Sequence, residues 1–261
     1  MAREDQRIHP VVATLALIGI AFVLLPFVAL IVRAPWAHLA TTLRSNGAWT
    51  ALRLSLVVSV SAAVLSVVLG LPLAWLLARA RVPGRAAIRA LVVLPIVLPP
   101  VVGGIGLLAA LGRSGLVGRW LNGVGIRLPF TTLGAIVATT FVSMPLLVLA
   151  AEAGFRSLDL RLEDAAATFG GSRGYVFRRI TLPLLGPQLA AGATLAWARA
   201  LGEFGATVTF AGNLAGRTQT LPLAVYQARE SDPGAAILLS LLLVVLSLVV
   251  LLLLRDRLLT R

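Results

Sequence analysis

Residues 235–254 read AAILLSLLLVVLSLVVLLLL, a run without a single charge. A helix rises about 1.5 Å per residue, so the run would measure roughly 30 Å, the thickness of a bilayer's hydrocarbon core. In that medium every backbone N–H and C=O must be satisfied within the segment, and the run therefore reads as a membrane-spanning helix. Working outward, comparable apolar stretches occupy about 11–32, 54–77, 87–111, 132–151 and 184–210. The chain has 261 residues, of which 59% are hydrophobic and 13% charged, well outside the range of a soluble domain. The expected fold is an all-α polytopic membrane protein with six transmembrane helices.

The six stretches differ in character. The first follows Arg3 and Arg7 as a secretory signal would. It exceeds a signal core of about 7–15 residues and has no small-x-small cleavage site, so it is read as a retained span. The third contains Pro95, Pro99 and Pro100, followed by Gly103 and Gly104. Proline removes a backbone donor, so a bent or interrupted helix is expected there, in which the freed carbonyls face protein or a wetted cavity. Such a helix either lines a path, where half-helix N-termini present N–H groups to an anion, or only shapes the packing.

Arginine supplies the topology, because all 23 basic residues are Arg and none is Lys. With the N-terminus inside, the inner segments hold Arg3, Arg7, Arg79, Arg81, Arg85, Arg89, Arg156, Arg161, Arg173, Arg178, Arg179, Arg255, Arg257 and Arg261. The outer ones hold Arg33, Arg44, Arg53, Arg113, Arg119, Arg127, Arg217 and Arg229. The bias is roughly two to one, which puts both termini in the cytoplasm and accounts for the net charge of +13 without a nucleic acid. Lack of lysine also excludes a phosphate-binding loop of the G-x-x-x-x-G-K-[ST] type. With no cysteine, and with His9 and His38 outside the spans, neither a Cys/His metal site nor a thiol nucleophile can be assembled. Of the ten carboxylates only Glu203 is expected well inside a span, which argues against an enzyme built on paired acids.

Arg199 and Glu203 stand four residues apart in the fifth stretch, where they share a helix face and can pair. Charges at membrane depth are functional candidates by default. They serve either a gate or path, or a lock between the fifth helix and a neighbour. The hydroxyls Thr139, Thr140, Ser143, Thr194, Thr207 and Thr209 could touch a passing oxyanion, although such groups usually bond their own helix backbone.

Between the fourth and fifth stretches a polar segment starts at Glu163, Asp164, Ala165 and Ala166, continues through Gly170, and closes on Ile180, Leu182 and Pro183. Its order and spacing resemble the EAA loop of ATP-binding-cassette importer permeases, with Asp164 in place of the usual Glu. A second run, Leu201 to Thr207 followed by residues 210–213 and 216–222, is similar to the molybdate and sulfate branch of that family, as is 94–104. The likeness covers about 49–253. It implies a type I importer permease fold working as a homodimer, with residues 1–48 as tail, first helix and first external loop, 49–253 as the transmembrane domain, and 254–261 as a cytoplasmic tail.

The same resemblance implies that 163–183 is a coupling helix docked on a separate ATPase subunit. ATP and Mg would lie on that partner, with no cofactor on this chain. Two such ATPase subunits, a second copy of the chain and an external oxyanion-binding protein complete the expected assembly. Pro99, Pro100, Gly103, Gly104, Arg199, Glu203 and Thr207 are the path or gate candidates, and Arg127 and Arg217 the candidates for docking the external receptor. Molybdate is the expected cargo, with tungstate, sulfate or thiosulfate as alternatives. A more distant alternative is an ion-coupled secondary transporter using Glu203.

Overall fold

The computed structural model describes residues 9–259, and all regular structure within them is helical. Arg3 and Arg7, part of the inner set of charges, lie outside the described residues. In order, α1 (Pro10–Arg33) leads through a short 3-10 turn (Trp36–His38) and α2 (Leu39–Arg44) into α3 (Asn46–Arg79). There follow α4 (Arg85–Val97), α5 (Pro100–Leu111), α6 (Gly118–Gly123) and α7 (Thr132–Ser157). A polar knob comes next, made of α8 (Leu160–Thr168), α9 (Arg173–Val176), a π turn (Phe177–Thr181) and α10 (Leu182–Leu184). The chain ends with α11 (Gly186–Leu201), α12 (Gly205–Ala211), α13 (Leu221–Ser231) and α14 (Pro233–Leu259).

Among the described residues four helices are long and apolar enough to cross a bilayer: Pro10–Arg33, Gly47–Arg79, Thr132–Ser157 and Pro233–Leu252. The third expected stretch is two helices, α4 and α5, bent by 120° at Leu98 and Pro99. Proline explains the break, since Pro99 and Pro100 cannot donate to the carbonyls of the preceding turn.

The fifth stretch is interrupted as well. Its helix stops at Leu201 and restarts at Gly205, because the Glu203 side chain accepts the Ala206 N–H at 2.8 Å and so caps a new helix. Helices run across both ends of the 49–253 segment. Residue 48 lies within the first turn of α3, which Ser45 caps by accepting the Ala48 N–H at 3.3 Å. The 254–261 tail is helical as far as Leu259, since nothing in Arg255, Asp256 and Arg257 stops a helix that has already begun.

The core sits where α3, α7 and α11 meet. Ala74, Leu77, Val148, Ala151, Phe155 and Leu185 are buried together, and Ile88 and Val92 of α4 pack against them. Lipid is as apolar as leucine, so close contact of small residues holds such helices together. A Cβ at Gly192 would come within 2.8 Å of the Ala150 side chain. A second cluster joins Ala48 and Ala51 of α3 to Leu221 and Ala224 of α13 and Leu239 of α14. A third joins Phe210 and Ala206 of α12 to Ala138 and Val142 of α7, with Leu107 and Leu108 of α5 against it. No residue of α1 is buried, and its main neighbour in the chain is α14.

Candidate functional site

The knob between α7 and α11 is built by local side-chain chemistry. Asp159 opens α8 by accepting the Arg161 N–H at 3.0 Å, and Glu163 falls in the first turn, where a negative charge suits the helix dipole. Gly170 ends α8. Its φ of 87° is left-handed, and the Gly170 N–H bonds Ala167 O at 2.9 Å while the Gly171 N–H bonds Ala166 O at 3.1 Å. That pair of bonds is the Schellman stop, so the glycine four residues beyond the Ala165-Ala166 pair has a geometric reason. Ser172 then opens α9 by accepting the Tyr175 N–H at 3.3 Å.

Glu163 fixes the knob to the bundle. Its Oε1 accepts from the Thr181 hydroxyl at 2.9 Å and from Arg79, at the end of α3, at 3.3 Å. The carboxylate of the motif proper, Asp164, is exposed and has no side-chain partner among the described residues. Ala165 is exposed, Ala166 half-buried, and Ile180 and Leu182 are half-buried on the return toward α11 with Pro183 outside. Phe169, beside the glycine stop, is 93% exposed. A cleft of about 920 Å³ separates Leu71, Pro72 and Trp75 of α3 from Asp164, Arg173 and Arg178 of the knob.

The residues singled out at membrane depth come together around the restart of the fifth stretch. Arg199 pairs with Glu203 at 2.6 Å, the carboxylate being 2% exposed and the arginine 34%. The two hydroxyls of Thr207 and Thr139 lie 3.3 Å apart. Pro99 precedes α5 and Pro100 is its first residue, seated against Gly205, where a Cβ would come within 2.9 Å of it. Gly103 and Gly104 are buried in helix contacts: an added Cβ would stand 3.0 Å from Phe141 at the first and 2.6 Å from Thr209 at the second. Close approach of α5 to α7 and α12 is what these glycines provide within the chain. Arg127 and Arg217 are both exposed at the end of the bundle where α7 begins, the Arg217 carbonyl accepting from Thr132 at 2.7 Å.

Two functional candidates escaped the sequence reading. Phe169 sits in a stretch read for its small residues. Glu152 was passed over because the fourth apolar run ends at Ala151, yet α7 continues to Ser157 and buries the carboxylate to 1% exposure. Its four-residue spacing to Arg156 was the available signal. Glu203 is thus not the only carboxylate inside a span. No cluster of three or more metal-ligating side chains exists among the described residues.

The described residues thus form a helical membrane body that carries a capped polar knob. The chain belongs to the family of binding-protein-dependent transport system inner membrane components, whose profile matches residues 70–259. It is similar to the Mycobacterium bovis protein named "Molybdenum transport system permease protein ModB", at 48% identity over 91% of this chain and 90% of that one. The Escherichia coli K12 protein of the same name is 42% identical over 77% of this chain and 91% of its own. Among solved structures, a bacterial ABC transporter involved in import of the acidic polysaccharide alginate matches with a TM-score of 0.74 at 20% identity, over 96% of both chains. That last likeness speaks for the fold alone. The chain is accordingly a multi-pass membrane permease of an ATP-binding-cassette importer.

Proposed function

We infer that this permease carries molybdate across the cytoplasmic membrane by alternating access, driven by a separate ATPase subunit that docks on residues 163–183. The observation that carries the reading is the knob: the spacing from Asp164 through Gly170 to Pro183 matches the coupling loop, and its end product is an exposed helix fastened to the bundle through Glu163. The cargo is supported by 48% identity, across nine-tenths of the chain, to a protein named for molybdenum transport.

Six crossings follow if α4 with α5 and α11 with α12 each count as one broken span beside the four long helices. An even number places both termini on one side, and the arginine bias makes that side the cytoplasm. The knob then lies inside, on the same side as Arg79, to which it is bonded. Two copies facing one another would enclose the path on a two-fold axis and meet two ATPase subunits, which hold ATP and Mg. An external receptor would deliver the oxyanion near Arg127 and Arg217, whose charge would complement acidic patches. An ion-coupled carrier is a weaker reading, because Glu152 and Glu203, the buried carboxylates of the spans, are both engaged by arginine.

Uptake of labelled molybdate by proteoliposomes holding the permease, its ATPase and its receptor tests the cargo. Unlabelled tungstate should compete and excess sulfate should not. Suppression of uptake by sulfate at concentrations equal to molybdate would move the assignment to the sulfate branch.

A further inference from the structure

Glu152 is a buried charge that the transport reading above leaves unused. It lies on α7 among Ala151, Phe155, Val148 and Leu77, at 1% exposure. An ionised carboxylate in such a place costs several kcal/mol unless it is paired. Two arginines pair it. Arg156, one turn along the same helix, bonds Oε1, and Arg89 of α4 places Nε 3.2 Å from Oε2.

The two partners are not equivalent. Arg156 shares a rigid helix with Glu152 and stays with it through any movement of that helix. Arg89 belongs to α4, which α7 grips through Ile88 and Val92 and through this ion pair. Beyond α4 the chain bends by 120° into α5, at prolines that leave the backbone ladder open. At its other end α7 runs five residues past Glu152 to Ser157, directly ahead of the cap of α8. Arg89 and Arg156 are 48% and 43% exposed, so either can exchange its contact for water at modest cost while the other keeps the carboxylate neutralised.

We propose that the Glu152–Arg89 pair is a latch that positions the broken helix α4–α5 according to the tilt of α7, with Arg156 as the resident counter-ion that lets the latch open. Glu152 thereby ties α4 to α7, as Glu163, through Arg79, ties the knob to α3. The inference rests on the importer reading and names the residues that carry motion from the knob to the path.

The test uses the whole complex in proteoliposomes, measuring ATP hydrolysis and labelled molybdate uptake together. Arg89→Gln should assemble and hydrolyse ATP, but uptake per ATP should fall about tenfold, the scale of a typical coupling between sites. Arg89→Lys should restore most of the ratio. A spin-label pair on α4 and α7 should change its separation between nucleotide-free and ATP-bound states in the wild type and lose that change in Arg89→Gln. The proposal is overturned if Arg89→Gln lowers only the yield of complex and leaves uptake per ATP unaltered, or if the separation never changes in the wild type. Absence of ATP-driven uptake by the wild-type complex is a different failure, since it removes the importer reading itself.

Discussion

Single residues decide how the knob presents itself. Phe169 stands 93% exposed beside a glycine whose φ of 87° ends the helix there, so an aromatic ring is held in water by a fixed turn. Aromatic anchors of this kind dominate protein–protein affinity, often at 2 kcal/mol or more. Phe169→Ala should weaken association with the ATPase subunit by about 30-fold, read by titrating the purified ATPase against permease in nanodiscs, while membrane insertion stays normal. An unchanged affinity would place the contact elsewhere on the knob. The position of Gly170 could be read directly from spacing, because a left-handed stop leaves a sequence mark. Phe169 could not, because exposure of an apolar side chain depends on which neighbours the fold withholds. Glu152 was hidden for the opposite reason: a carboxylate after an apolar run resembles the end of a span until a partner on another helix, Arg89, is seen to meet it.

At the scale of elements, long continuous runs were legible and interruptions only partly so. The runs that became α1, α3, α7 and α14 declare themselves by length and lack of charge, and their helices exceed the expected bounds by one to eight residues at one or both ends because the flanking residues hold no proline past a helix's first position. The break between α4 and α5 was legible from prolines. The break between α11 and α12 was not, since it depends on Glu203 turning back to cap Ala206 while Arg199 neutralises it. Between α5 and α12 the glycine contact sets the fit: an added Cβ at Gly104 would meet Thr209 at 2.6 Å, whereas Gly106 has nothing within 4 Å. Overpacking at such a contact costs about 1–3 kcal/mol. Gly104→Ala should therefore lower the melting temperature of the detergent-purified permease and slow uptake, and Gly106→Ala should do neither. Equal behaviour of the two variants would mean that α5 does not lie against α12.

At the scale of the whole molecule, the chain is the permease subunit of an ATP-binding-cassette transporter. Its α1 buries nothing among the described residues, and its knob exposes Phe169 and Asp164 together. Membership of a family of inner membrane transport components was readable from the loop spacing. The decisive measurement is labelled molybdate accumulation in sealed proteoliposomes holding the permease with receptor outside, with and without the ATPase subunit and internal ATP. Accumulation should occur only when both ATPase and ATP are present and should stop when the ATP is exhausted. Accumulation by the permease alone, or uptake that follows an imposed ion gradient in the absence of ATP, would contradict the account.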